Sequence, residues 1–375
     1  MKPVSIVKVD SLKALRRFVH FPNRLYKDNI YYVPQIESMD LDTMNPAKNR
    51  AFEVCEGAYW LAYDGDGRIC GRIAGIINHK YNDKVGKKIC RFNWLDFVDD
   101  PDVCKALLDA AEEYARQKGM DEIEGPVGFL EFDVTGVLTE GFDKIPTPYG
   151  KYNAPYYEPY ILNCGYSRST AYVEYLITVP ETLDERYLKF ARIVSERYGL
   201  RQAEIPTRRS LKPYFKGVFD CMNRAYSKLE GYSELSEGQC DDLIRQFVPN
   251  LNPDLVSIIL DKDDRVVAFA VTMPSLARAM QKAKGKLFPF GWYHILRAVR
   301  RNDTIDALLI AVDDEYKDKG LNAMIFDKLY AGIRKCGIKY VESTRELESN
   351  VSVQNLWGRF DCHIHKRAMT YVKEL

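Results

Sequence analysis

Residues Ile310-Ala311-Val312-Asp313-Asp314-Glu315-Tyr316-Lys317-Asp318-Lys319-Gly320-Leu321-Asn322-Ala323 decide how the rest of the chain is read. An apolar, strand-like run from Ala307 to Val312 stops at carboxylates and crosses a Lys-Gly turn. It then enters a proline-free run, Met324 to Cys336, whose periodicity predicts a helix. That order of parts makes a cradle for a phosphate. The turn aims backbone N–H groups at the ligand, the helix N-terminus adds partial positive charge, and the lysines add full charges.

The stretch resembles the signature of the GNAT acyltransferases (Gcn5-related, acyl-CoA dependent). In that family a strand ends in Val-x-Pro-x-Tyr, and Arg/Gln-x-x-Gly-x-Gly/Ala then opens a helix. Here Val312-Asp313-Asp314-Glu315-Tyr316 precedes Lys317-Asp318-Lys319-Gly320-Leu321-Asn322, with Asp314, Lys317 and Asn322 departing from the pattern. Farther on the family places an Asn, a Tyr seven positions later and a Gly-Phe. This chain has Asn350, Trp357 and, in the last place, Asp361-Cys362. The resemblance runs from Thr304 to Leu375. It implies an α/β (α+β) fold with a mixed, centrally antiparallel sheet flanked by helices. It also implies that Ile310, Ala311, Val312, Lys317, Asp318, Lys319, Gly320, Leu321, Asn322, Ala323 and Asn350 contact acetyl-CoA or another acyl-CoA.

Acyl transfer from a thioester to an amine needs a base for the amine, a donor for the carbonyl oxygen and, optionally, an acid for the thiolate. The resemblance gives the donor role to the N–H of Ala311 or Val312, and the base role to Glu342, on the strand beside the turn. It gives the acid role to Trp357. An indole donates a hydrogen bond but does not protonate a thiolate. Either another tyrosine acts, the thiolate leaves unassisted, or this part of the chain does not catalyse.

The whole chain has 375 residues, enough for two domains, and its 46% hydrophobic and 29% charged content is that of a globular protein. Lys+Arg of 54 against Asp+Glu of 53 leaves +1, which supplies no global field for nucleic acid or membrane. Nine scattered cysteines without a Cys-x-x-Cys pair fit a reducing compartment. No apolar signal core or spanning stretch is present, so a cytoplasmic protein is expected.

A second copy of the pattern lies upstream. Aligning Gly119 with Gly337, an offset of 337 − 119 = 218, places Asp109 on Asp327, Arg116 on Arg334, Ile123 on Val341 and Glu124 on Glu342. Asn153 with Tyr160 repeats the spacing of Asn350 with Trp357. A duplication predicts two GNAT-like domains, 1–178 and 179–375. The first copy expects strands at Ala58–Tyr63, Arg68–Asn78 and Ile89–Phe97 and a helix at Val103–Lys118. The second expects helices at Leu183–Tyr198 and Leu211–Leu229, with strands at Leu255–Leu260, Arg265–Thr272 and Lys339–Thr344. The first copy's turn, Asp96 to Asp102, carries four carboxylates and no glycine, and would repel a pyrophosphate. The second copy is therefore the expected cofactor half.

Met273 to Asn302 interrupts the second copy with Lys282, Lys284, Lys286, Arg297, Arg300 and Arg301 among Phe288, Phe290, Trp292 and Tyr293. It reads either as a helical pair with a solvated basic face or as a lid supplying cations to the cleft. The first copy's own insertion, Gly125 to Lys151, reads as a pocket-lining loop or as packing. His363 and His365 share one side of a final strand; without a third ligand they read as solvated, and no metal is expected. The functional expectation is an acyl-CoA-dependent N-acyltransferase, monomeric or homodimeric. Its acceptor is a small-molecule or peptide amine, with no nucleic-acid or membrane partner. The alternative is a non-catalytic ligand-binding or sensor protein. A third reading, a FemABX-like transferase using aminoacyl-tRNA, is disfavoured by the charge balance.

Overall fold

The computed structural model describes residues 4–130, 132–228 and 231–375. Glu131, inside the Gly125–Lys151 insertion, and Leu229, the expected end of a helix, lie outside the described residues. The N-terminal part comprises β1 (Ser5–Lys8), α1 (Leu12–Leu25), α2 (Glu37–Thr43), β2 (Cys55–Tyr63), β3 (Ile69–Asn78), α3 (His79–Val85) and β4 (Ile89–Phe97). It continues through α4 (Pro101–Gln117), β5 (Glu122–Gly125), β6 (Val137–Glu140), α5 (Tyr157–Asn163) and β7 (Ser167–Thr178). The C-terminal part begins with α6 (Glu185–Tyr198), β8 (Arg201–Gln202), α7 (Phe215–Tyr226), α8 (Glu237–Phe247), β9 (Val256–Leu260) and β10 (Val266–Pro274). After α9 (Ala277–Ala283) and α10 (Gly291–Arg300) come β11 (Thr304–Val312), α11 (Leu321–Cys336), β12 (Tyr340–Ser343), β13 (Glu346–Leu347), α12 (Val351–Trp357) and β14 (Cys362–Glu374).

The two principal helices form where the sequence provides both a face and a start. Asp100 caps α4 by accepting from Asp102 N–H, and Pro101 opens it at the position where a missing N–H does no harm. Its buried residues Val103, Leu107, Leu108, Ala111 and Ala115 follow one face onto β3, all ten residues of which are buried. In α11 the residues Leu321, Ile325, Leu329 and Ile333 do the same over β9 and β10. Gly332 lets α11 approach the turn at Asp254, whose carbonyl oxygen would stand 1.8 Å from an added Cβ.

Among the described residues all strands join one sheet, ordered β1-β2-β3-β4-β5-β14-β7-β12-β11-β10-β9-β8, with β6 beside β14 and β13 beside β7. The two parts exchange their last strands. β7 belongs to the N-terminal part by sequence but pairs with β12, while the C-terminal β14 pairs with β5. β7 and β14 then pair with each other, so no open edge faces the other part. The sheet therefore does not break at 178/179, where the sequence alone places a domain boundary. Of the described helices none is long and apolar enough to cross a membrane.

Each part contains one parallel pair. Ile89, Cys90 and Arg91 of β4 lie opposite Glu122, Ile123 and Glu124 of β5. Thr304 through Ala307 of β11 lie opposite Tyr340 through Ser343 of β12. With Glu124 matched to Glu342 by the repeat, Arg91 is the counterpart of Asp306, and Phe97, six residues later, is the counterpart of Val312. The backbone agrees. Val98 N–H donates to Cys70 on β3, and Asp313 N–H donates to Val267 on β10.

Candidate active site

Beyond Ala307 the parallel pair opens. Thr344 N–H still donates to Ala307 O, and then β11 and the β12–β13 segment diverge, because β13 stays on β7 with Glu346 opposite Val173. One wall of this splay is Leu308 to Val312; the other is Arg345 to Leu347. Asp313 N–H points at β10, so the two-residue alternation turns the N–H and C=O of Ile310 and Val312 into the gap. Tyr226 of α7 donates to Ile310 O at 2.8 Å, as that direction requires. Of the two donors expected from sequence, Ala311 faces β10 and Val312 faces the splay.

The same gap in the first part is filled. Tyr157 hydroxyl holds Phe97 N–H at 3.1 Å and stacks on the Phe97 ring, and Tyr156 donates to Phe97 O at 2.6 Å. Burial raises the Tyr157 hydroxyl well above its usual range, so it stays a neutral plug. Tyr160, expected to match Trp357, donates instead to Asp99 of the acidic turn at 2.7 Å.

At the mouth of the second splay the chain turns through Asp314–Tyr316 into Lys317, Asp318, Lys319 and Gly320, and α11 begins without a side-chain cap. Its first N–H groups, on Leu321 and Asn322, are thus not closed by a neighbouring side chain. Lys317 pairs with Asp314, whose carboxyl is pulled down to about 2 by hydrogen bonds from Lys228 and Lys317. The Lys319 ammonium lies 4.6 Å from the Tyr316 ring centre and 5.3 Å from that of Tyr198. Gly320 has φ +84°, and a Cβ there would meet the Phe190 ring of α6 at 2.4 Å. Its glycine is therefore required by backbone and packing as well as by any ligand. Arg224 holds the buried Asp313 at 2.7 Å and so fixes the start of the turn.

Sequence reasoning missed Glu346 and Tyr226. Trp357 is buried, and its indole N–H donates to the Glu346 carboxylate at 2.9 and 3.1 Å. Burial pushes the Glu346 carboxyl up to about 7, against the Trp357 hydrogen bond that favours its ionised form. Tyr226 and Glu346 feel each other electrostatically, and burial raises the Tyr226 hydroxyl. The indole that the sequence places in the expected acid position is thus spent on the Glu346 carboxyl, which burial pushes up to about 7. A Glu that opens a two-residue strand held only by β7 leaves no periodic signal, and nothing in the sequence points to Tyr226.

Asn350 accepts from Val353 N–H and caps α12. Asn153 does not copy this. It bonds the backbone of Leu138 in β6 through both N–H and C=O.

Glu342 sits deeper, in a buried charge cluster between β7, β12 and β14. Lys366 bonds both Glu342 and Glu174, the latter at 2.8 Å, and Arg345 bonds Glu174 at 3.1 Å. Burial pushes Glu174 up, but Lys366 and Arg345 outweigh it and hold the carboxyl below its usual range. His365, expected to be solvated, has a side chain only 6% exposed and lies 3.3 Å from Glu342. It stands at a bulge between Ile364 and Lys366 that breaks the simple alternation. Glu174, Glu342 and His365 bring ligand atoms within 4.8 Å of one another, a spacing that suits a metal, but the Lys366 ammonium already stands among them. Arg345 also donates to Gly136 O and Lys151 O, so the first part's insertion covers this cluster.

Asp306, opposite Glu342, is fully buried, and neither carboxyl oxygen has a hydrogen-bond partner among the described residues. Its counterpart Arg91 makes an ion pair with Glu124, whereas Asp306 meets a second carboxylate. Burial, then Glu342, raises the Asp306 carboxyl well above its usual range. A folded pKa above the unfolded one gives a contribution complete below the unfolded value and lost as pH rises through the folded value. Asp306→Asn is therefore expected to raise the melting temperature at pH 8 and to change it little near pH 4. Thermal unfolding at the two pH values measures this.

No family model matches the chain. Two curated proteins resemble it over most of their length. Protein YghO of Escherichia coli (strain K12) is 26% identical over 368 residues, covering 96% of this chain and 93% of that one. A bacterial ceramide synthase of Caulobacter vibrioides (strain NA1000 / CB15N) is 26% identical over 297 residues, covering 78% and 76%. Among solved structures, a tandem GNAT protein from the clavulanic acid biosynthesis pathway superimposes with a TM-score of 0.56 at 12% identity, over 99% of this chain and 98% of that one. A GCN5-related N-acetyltransferase from Sphaerobacter thermophilus gives 0.53 at 9% identity, over 100% and 97%. The chain has the tandem GNAT fold over its full length.

Proposed function

We propose that the C-terminal part binds an acyl-CoA in the splay between β11 and β13 and transfers its acyl group to an amine. The observation that carries this is the contrast between the two splays. Phe97 N–H is closed by the chain's own Tyr157, and its counterpart, Val312 N–H, faces a gap that leads to an uncapped helix and two lysines. The residues suit the group: the Val312 backbone and the Ile310 N–H are offered to a pantetheine arm beside the Tyr226 hydroxyl that holds Ile310 O, and Leu321, Asn322, Lys317 and Lys319 offer donors to its pyrophosphate.

In this reading the amine lone pair attacks the thioester carbon while a splay N–H polarises the carbonyl oxygen. As the C–N bond forms, Glu346 takes the ammonium proton. As the C–S bond breaks, the same carboxyl returns the proton to sulfur, giving an amide and the free CoA thiol. A carboxyl poised near neutrality suits both steps, and the Trp357 indole orients it. Glu342, held by Lys366 and His365, then has a structural role. Trp357 no longer favours a binding-only protein, since its indole positions the titrating group.

The acceptor we put forward is a long-chain amine. One relative is named a bacterial ceramide synthase, and a ceramide is the amide of a long-chain base. The test is thiol release from acyl-CoAs of several chain lengths against short amines and long-chain bases, with the product weighed by mass spectrometry. We expect amide formation with long-chain bases. If CoA binds but no amine releases thiol, the transferase reading falls and the ligand-binding reading stands.

A further inference from the structure

The segment that interrupts the C-terminal part is unlike the rest of the surface. From Ser275 to Asn302 there are seven cations (Arg278, Lys282, Lys284, Lys286, Arg297, Arg300 and Arg301) and no Asp or Glu. All seven are exposed, and none makes an ion pair among the described residues. Elsewhere the chain pairs its charges freely, as at Arg265–Glu315 or Arg367–Glu348.

The apolar residues of this segment are equally unpartnered on one side. Ile295, Ala298 and Val299 of α10 pack inward, into the cluster that also holds Leu308, Leu309 and Ala311 of β11. The opposite face of α10 presents Trp292, Tyr293 and Leu296 beside Arg297 and Arg300, and the turn before it presents Phe288 at 77% and Phe290 at 71% exposure. Ile30, 74% exposed, joins this surface through the bond from Gln281 to its carbonyl. Leaving such rings in water is unfavourable, and an all-basic surround keeps them from packing against a second copy of the same patch.

We propose that the α9–α10 hairpin docks the protein on an anionic phospholipid surface. Aromatic side chains would enter the headgroup boundary, and the seven cations would meet the lipid phosphates. Two features favour a bilayer over single-stranded nucleic acid. The aromatics stand on a projecting turn and an outer helix face instead of lining a groove in which bases stack, and Leu296 and Ile30 offer aliphatic surface that stacking does not use. The feet of the hairpin are Pro274 and Thr304, at the end of the β10–β11 ladder where Met273 lies opposite Asp306. Docking would therefore hold β11, one wall of the splay, beside the membrane, where a long-chain amine resides. The proposal goes beyond the acyl-transfer reading and stands without it.

The test is flotation of the full-length protein with phosphatidylcholine vesicles, with and without phosphatidylglycerol. The protein should float with the anionic vesicles, less so as salt is raised. Trp292 is the most exposed of the four tryptophans, so binding should blue-shift the emission, and Trp292→Phe should remove that shift. An Arg297→Gln/Arg300→Gln/Arg301→Gln variant should lose roughly tenfold or more in partitioning. A Phe288→Ser/Phe290→Ser variant should also lose affinity; these residues are exposed, so its melting temperature checks that folding is intact. The Lys317→Glu/Lys319→Glu variant, deficient in acyl-CoA binding on our reading, should float like the native protein, which separates the two ideas. Absence of flotation, flotation unaffected by either hairpin variant, or retention on polyuridylate without flotation would each overturn the proposal.

Discussion

Glu346→Gln is expected to lower turnover at least about a hundredfold, the usual range for loss of a general acid–base group, with acyl-CoA affinity unchanged. The amide keeps the shape and accepts the Trp357 hydrogen bond, but it carries no proton between nitrogen and sulfur. The native pH profile should rise with pH through about 7, where burial sets the Glu346 carboxyl. Trp357→Phe removes a hydrogen bond that favours the ionised form, so its limb should lie at higher pH. Stability should move the other way. A carboxyl raised from 4.5 to about 7 contributes fully below 4.5 and loses that contribution as pH climbs through 7. Glu346→Gln should therefore be more stable than the native protein at pH 8, by on the order of 3 kcal/mol, with little difference near pH 4. A variant that is inactive and more stable has not lost activity by misfolding. If turnover survives Glu346→Gln, the proton passes through another group, and Asp306 is the next buried carboxyl to replace.

What the sequence made legible is what depends on local order. The strand ending at Val312, the turn with its glycine and the helix to Cys336 follow from periodicity and caps within one segment. The expected strand Ile89–Phe97 matches β4 residue for residue. Pairing across the chain leaves no such trace. β7 and β14 read as ordinary alternating strands, and nothing within either says that it completes the other part's sheet. The acidic turn of the first part was legible as a poor phosphate site, but the tyrosines that close its splay arrive from α5, about sixty positions away. Glu346 was hidden because its placement comes from β7, and its titration from burial, neither of which is a property of its neighbours in sequence. A net charge of +1 concealed a segment with seven cations and no acid, because the remaining residues balance it. His365 shows the limit of the period-two rule: a bulge of one residue moved it from solvent to a carboxylate.

Acyl-CoA at a hundred times its Kd should stabilise the native protein by about 2.7 kcal/mol, a shift of a few degrees in melting temperature for a chain of this size. The Lys317→Glu/Lys319→Glu variant should lose most of that shift. Each reversal replaces attraction to a phosphate by repulsion at the uncapped start of α11, and together they are expected to weaken binding roughly a hundredfold. At the same ligand concentration the stabilisation then falls to about 0.4 kcal/mol. Folding itself should suffer little. Lys317 loses only an exposed ion pair with Asp314, and Lys319 a half-exposed contact with Tyr316 and Tyr198. Raised salt should narrow the gap between native and variant, as it does for any exposed charge contact. The matching change in the first part is Tyr157→Phe, which frees Phe97 N–H but leaves the acidic turn in place. Its melting temperature should drop while the ligand-induced shift stays at the native size. The reverse outcome, a shift lost in Tyr157→Phe and kept in the double lysine variant, would move the acyl-CoA to the N-terminal part and with it the assignment of Val312, Tyr226 and Glu346.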